Sequence, residues 1–241
     1  MTPPKNTRFR VVLAICIALF SAVLFLLSPI FSISEVVVLG NHRVSQDDIV
    51  SNLGANGNIF LLNTRRSRQE IMGNFHIGDV AITRNLPNQV VVTVYERRLS
   101  AYIEHPPGNF LFLDEHGRVL EVRSYTTEPL PLLQGLHISR FQLGELLDVP
   151  DELSFAHIMQ YTQLLVAHGI IDRITHINIS DPSNIRILIN YLEFQVGGVQ
   201  DADAKVRTII EILAQLPNAH MLRGFVEMQE IGSSYRLRLL E

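Results

Sequence analysis

Residues 32–54 read SISEVVVLGNHRVSQDDIVSNLG, and this stretch decides the fold. Val36 and Val38 alternate with Val37 and Leu39, a strand apolar on both faces, which Gly40 and Asn41 then break. Ser45 caps a short helix in which Asp48 completes a capping-box spacing, Ile49, Val50 and Leu53 form the apolar side, and Gly54 is the stop. A strand and a capped helix in so little chain mean that a packed domain starts almost at Ser34.

Immediately upstream, residues 11–34 read VVLAICIALFSAVLFLLSPIFSIS and carry no charge. About twenty such residues cross a hydrocarbon core of ~30 Å. A cleaved signal peptide competes with this reading through the small residues Ser32 and Ser34, but its apolar region is normally about 7–15 residues. Pro29 ends or kinks the helix near the outer interface. Lys5, Arg8 and Arg10 precede the run and the first acidic residue is Glu35, so the N-terminus stays in the cytoplasm and the rest lies outside. The expected layout is a cytoplasmic tail over 1–10 and a transmembrane helix over 11–33. The only cysteine, Cys16, falls within the span, which leaves the exported part to be stabilised by packing without disulfides.

Downstream, NTRRSRQEIMGNF (63–75) is a second helix capped by Asn63 or Thr64, with Ile71, Met72 and Phe75 on one face. DVAITR and QVVVTVYERR pair antiparallel about the turn NLPN. The order is strand, helix, helix, strand, strand. Three segments, VVVLGNHRVSQDDI, NIFLLNTRRSRQEI and ITRNLPNQVVVTVYERRLSA, carry a specific likeness, strongest in the closing pattern of Arg84, Pro87, Val92, Val94, Glu96 and Arg97. The chain resembles the bacterial FtsQ family, called DivIB in other bacteria, whose polypeptide-transport-associated (POTRA) domain has this order. The resemblance implies a POTRA domain over 34–99, directly outside the membrane.

Residues 100–241 predict a second, mainly antiparallel β domain with flanking helices, so the fold class is α+β. NFLFLDEHGRVLEV is a hairpin about His116 and Gly117, and PLPLLQGL (129–136) an extended connection restricted by its prolines. A helix runs from about Asp151 to His168 with a stripe of Phe155, Ile158, Met159, Leu165 and Val166. ITHINIS and IRILINYLEFQV are strands separated by DPSN, with Ile185, Ile187, Ile189 and Tyr191 on one face. Val206, Ile209, Ile210, Leu213 and Leu216 mark another helix, ended at Pro217, and GFVEMQ and SSYRLRLLE form a last hairpin about Gly232 and Ser233.

Composition narrows the function. The formal charge of -4, without Lys or Arg runs interleaved with aromatics, argues against nucleic-acid binding. The nine histidines are scattered, and neither H-E-x-x-H, a nucleophile elbow nor a Walker A loop occurs. No catalytic, cofactor or metal residue and no small-molecule substrate is therefore assigned, and the protein is expected not to be an enzyme. Asp47 and Asp48 suggest an acid pair or cation site, but in a first helical turn they are better read as complementing a helix dipole. Arg65, Arg66 and Arg68 read as the wet face of the second helix, with anionic lipid headgroups or an acidic partner as the alternative, and Glu96 with Arg97 suits a domain-junction ion pair or a partner contact.

The resemblance implies a division-septum scaffold in the cell membrane, binding FtsB/FtsL-like proteins and other septal membrane proteins through its outer domains. A membrane-anchored envelope enzyme such as a wall hydrolase, or a POTRA-type export or assembly factor, is the alternative. A terminal strand tends to lie at a sheet edge and can take an incoming segment. The expected site is Tyr235 and Leu237, with Phe225 and Met228 behind them, while Arg236 and Arg238 meet acidic groups of the partner. A proline at 236 or 238 is expected to remove a donor from that edge. The plainer account is that Tyr235, Leu237 and Leu239 close the core and the arginines are solvated. The topology predicts that protease added to wall-stripped cells removes the large domain and leaves a small membrane-held stub; survival of the full domain refutes the orientation.

Overall fold

The structure, a computed structural model, describes residues 5–106, 108–216, 222–228 and 235–240. It comprises two compact units, Met1–Arg97 and Arg98–Glu241.

The first unit opens with α1, Lys5–Leu26, whose segment Phe9–Leu26 is long and apolar enough to cross a membrane. The helix starts before the expected tail ends and stops seven residues short of the expected residue 33. Ser28 and Pro29 are the reason: the Ser28 hydroxyl accepts from Ile30 N–H (3.3 Å), Pro29 has no N–H to donate, and Pro29–Phe31 form a tight 3-10 turn. Phe31 is buried and belongs to the outer core.

That core is built by β1 (Glu35–Leu39), α2 (Gln46–Leu53), α3 (Thr64–Ile71), β2 (Ile77–Asn85) and β3 (Gln89–Glu96). The sheet order is β1-β3-β2, with β3 antiparallel to β2 and parallel to β1, so that Val36 lies opposite Val90 and Val38 opposite Val92. Val90, Val92 and Val94 are buried under Ile49, Leu53 and Ile71. Ser45 caps α2 by accepting from Asp48 N–H (3.1 Å), and Asn63 caps α3 by accepting from Arg66 N–H (3.1 Å). Gly40 has φ +81° and a Cβ there would lie 2.3 Å from the Val94 carbonyl oxygen, so no other residue fits between β1 and β3.

The face expected for α3 needs correction. The helix ends at Ile71, leaving Met72 exposed and Phe75 half-buried against His76. The second inward position is Ser67, whose Oγ donates to the Leu53 carbonyl (2.6 Å).

Among the described residues of the second unit nine strands form one sheet. They are β4 (Ala101–His105), β5 (Asn109–Leu113), β6 (Val119–Arg123), β7 (Leu132–Gln134), β8 (Ile174–Asn178), β9 (Ile185–Ile189), β10 (Leu192–Gly197), β11 (Gly224–Met228) and β12 (Tyr235–Leu239). Their order is β12-β11-β10-β9-β8-β7-β4-β5-β6, mainly antiparallel with parallel pairs at β4–β7, β7–β8 and β10–β11. Residues 129–136 are more than a connection, because Leu132–Gln134 pair on both sides as β7. IRILINYLEFQV is a hairpin rather than one strand: Asn190 adopts φ +53°, Leu192 returns opposite Ile189, and Tyr191 is exposed at the tip.

Helices α4 (Glu152–Ala167) and α5 (Ala202–Gln215) bury Ile158, Tyr161, Leu165, Val206, Ile209 and Ile212 in one core with Ile187, Phe194 and Val226. Tyr161 Oη and Lys205 Nζ both donate to the Gly198 carbonyl, at 2.9 and 3.1 Å, and burial pushes the Tyr161 phenol well above its ordinary range. His168, which caps the C-terminus of α4, meets Asp203 of α5 at 2.8 Å. Pro217 and the Gly232–Ser233 turn lie outside the described residues.

The corrected α3 face gives a paired test. Ile71→Ala is expected to cost about 2–5 kcal/mol and Phe75→Ala well under half of that, because only Ile71 leaves a cavity. Thermal unfolding of the full chain in micelles measures both; equal losses place Phe75 back in the core.

Candidate partner-binding site

Among the described residues β12 is the outermost strand at its end of the sheet. It pairs antiparallel with β11, Phe225 opposite Arg238, Val226 opposite Leu237, Glu227 opposite Arg236 and Met228 opposite Tyr235. Paired residues project to the same side. Val226 is fully buried, so Tyr235, Leu237 and Leu239 share the core side with Met228, while Arg236 and Arg238 share the other side with Phe225 and Glu227. Phe225 therefore does not back Tyr235 and Leu237 as expected; it lies beside the arginines.

Only the middle of β12's apolar row is covered. Leu237 and Met228 pack on the core, whereas Tyr235 is 43% exposed, Leu239 51% and the next residue, Leu240, 56%. On the opposite side Glu227 lies 3.8 Å from Arg236 and 3.9 Å from Arg238, exposed pairs worth about 0–1 kcal/mol each. Leu240 escaped the sequence reading because it lies beyond the alternating pattern.

The backbone phase follows from two bonds. Leu240 N–H donates to Arg223 O (2.8 Å), and Gly224 N–H turns the other way, to Tyr191 O (3.3 Å). Hydrogen-bonded pairs alternate along an antiparallel ladder, so residues 236 and 238 point their backbone groups at β11, and 235, 237 and 239 point theirs outward. A proline at 236 or 238 breaks the domain's own ladder. The outward donors are those of Tyr235, Leu237 and Leu239.

Other residues singled out in the sequence do local work. Arg66 pairs with Glu70 at 2.8 Å and Arg68 with Asp79 at 2.5 Å, both exposed. Asp47 and Asp48 sit in the first turn of α2. Glu96 acts within its own unit: its carboxylate accepts from the backbone N–H groups of His42 (2.8 Å), Arg43 (2.9 Å) and Val44 (2.9 Å), holding the loop between β1 and α2. Burial alone would raise the Glu96 carboxyl, but the N–H groups of Val44, Arg43 and His42 outweigh it and hold the group below its ordinary range. Among the described residues no cluster of three or more His, Cys, Asp or Glu is arranged to hold a metal. A shallow depression of about 200 Å³ on the sheet is lined by Gln134, His176, Asn178, Arg186, Leu188 and Glu193.

Residues 31–97 match the POTRA domain, FtsQ-type, which makes the chain a POTRA-bearing protein. The Cell division protein DivIB of Clostridium botulinum (strain Hall) is 26% identical over 234 residues, 95% of this chain and 91% of its own length. That of Clostridium tetani is 27% identical over 190 residues, covering 78% and 71%, and that of Clostridium acetobutylicum 27% over 189 residues, covering 77% and 74%. Over most of its length the chain is thus similar to proteins of the FtsQ/DivIB kind, and it carries an FtsQ-type POTRA domain.

The Glu96 staple predicts an acid-sensitive first unit. Because the folded carboxyl lies below its unfolded value, its contribution is fully present above the ordinary carboxylate range and is lost as pH falls through the folded value. Glu96→Ala is expected to lower stability by about 1–3 kcal/mol near neutral pH. The gap to wild type should close on acidification; a gap that persists at low pH removes the carboxylate from the account.

Proposed function

We propose that the protein is a non-enzymatic, single-span scaffold of the division septum, with its N-terminus in the cytoplasm and both outer units extracytoplasmic. It links septal membrane proteins, and β12 takes a strand from an FtsB/FtsL-like partner. One observation supports this most: a terminal edge strand with three outward-pointing backbone positions and the exposed apolar side chains of Tyr235, Leu239 and Leu240. Main-chain pairing along that edge supplies affinity, and the alternate side chains select the segment. Tyr235, Leu237 and Met228 form the apolar side, and Phe225, Arg236 and Arg238 form the other, where acidic residues of the partner replace Glu227 as the counter-charge.

The backbone phase chooses the test. Leu239→Pro removes an outward donor from a half-exposed residue and is expected to abolish co-purification of the FtsB-like partner with little change in melting. Arg238→Pro removes a donor from the β11 ladder and is expected to cost about 1–3 kcal/mol of the second unit's stability. Undiminished capture by a folded Leu239→Pro chain moves the site away from β12.

A further inference from the structure

The end of the first unit next to α1 is apolar where solvent-facing loops are normally polar. Residues 58–62, NIFLL, join α2 to α3; Ile59 and Leu62 are buried, but Phe60 is 39% exposed and Leu61 71%. Ile30, in the turn after α1, and Leu86, between β2 and β3, are 58% and 56% exposed. The bonding brings these segments together. Asn58 Nδ2 donates to the Leu26 carbonyl at the end of α1 (2.6 Å), Ser32 bridges Asn58, and Ser34 N–H donates to Asn88 O (3.0 Å). The Phe31 ring lies 5.3 Å from Phe25 and 5.1 Å from Phe60. Phe25 is part of the apolar segment Phe9–Leu26, so Phe60 is two ring contacts from the span itself.

We infer that this end of the POTRA unit is seated in the outer interfacial layer of the bilayer that α1 crosses, with Phe60 and Leu61 inserted at the boundary between headgroups and acyl chains. The inference rests on α1 being a span. The occupant is lipid because side chains bonded to the exit of a spanning helix are held at the height where hydrocarbon gives way to headgroups, and aromatic and leucine side chains partition about 5–10 Å into that layer. The unit is thereby anchored at two points, the helix and the loop, and cannot swing on a tether. Tyr95, near the other end of β3, stands about 20 Å from Gln89 at ~3.3 Å per residue and faces water.

The chain has no tryptophan, so single substitutions report depth directly. Phe20→Trp, Leu61→Trp and Tyr95→Trp are made in the full chain and reconstituted in phosphatidylcholine–phosphatidylglycerol vesicles containing lipids spin-labelled at shallow or deep acyl positions. The melting of each variant is first matched to wild type. The expected result is strong quenching of Leu61→Trp by the shallow label, of Phe20→Trp by the deep label, and of Tyr95→Trp by neither. Quenching at Phe20→Trp without any at Leu61→Trp overturns the seating and leaves the span intact; no quenching at Phe20→Trp overturns the span and the seating with it. Since tryptophan itself favours interfaces, Leu61→Asp is added to Phe60→Trp. A fall in quenching of about twofold or more is expected from placing a charge at that depth, and an unchanged signal overturns the seating.

Discussion

Phe31 is the residue on which the first unit depends. Its ring is the meeting point of the last turn of α1, through Phe25, and the α2–α3 loop, through Phe60. On either side of it the backbone is fixed as well, since Ile59 N–H donates to Phe31 O (2.8 Å) and Ile33 N–H to Gly57 O (2.8 Å). A membrane exit usually leaves a run of solvated linker; here the residues after the helix are already core. The tight turn at Pro29 makes this possible, because a helix continued to residue 33 would carry Phe31 around its own axis instead of into the sheet.

The two ends of the large sheet differ in how their edges are protected. At β6, Val119 and Leu120 are buried, and Arg123 is held by Glu121, by Glu128 at 3.1 Å and over the Phe112 ring at 4.6 Å, with little of its side chain exposed. At β12 the arginines reach one shared glutamate only at 3.8–3.9 Å and remain mostly in water. Exchanging such loose pairs for a partner's carboxylates loses little, whereas opening the β6 cluster strips a half-buried cation. That contrast favours β12 as the edge that binds.

Features set by a few neighbouring residues were legible in the sequence. Ser45 and Gly54 announced the two ends of α2 through a side-chain cap and a left-handed turn, and of the two cap candidates for α3, Asn63 and Thr64, it is Asn63 that caps it. What failed depended on distant chain or on geometry without a residue signature. The Asn190–Tyr191 turn has neither Gly nor Pro, so the isoleucine run seemed to continue through it. Leu132–Gln134 became a strand only because β4 and β8 lie on both sides, and the prolines nearby argued otherwise. Phe75 was counted on a helix that stops four residues earlier. At β12 the alternation of side chains was readable, but the phase of its hydrogen bonds was not: both phases have the same pattern of residues, and the Leu240–Arg223 and Gly224–Tyr191 bonds distinguish them.

An edge kept open for a partner is also open to another copy of itself. The charges on β12 bear on that problem. Two β12 strands meeting antiparallel about Leu237 would put Arg236 of each opposite Arg238 of the other, like charges facing across one side of the new ladder. A parallel approach in register would stack Arg236 on Arg236 and Arg238 on Arg238. Among the described residues the counter-charge of both arginines is Glu227, which they already share. An acidic segment meets no such penalty and gains two charge pairs in addition to the backbone ladder. On the proposed reading the arginines discriminate at the encounter, where like-charge repulsion acts against self-association, while the outward-facing backbone of Tyr235, Leu237 and Leu239 would hold the segment admitted.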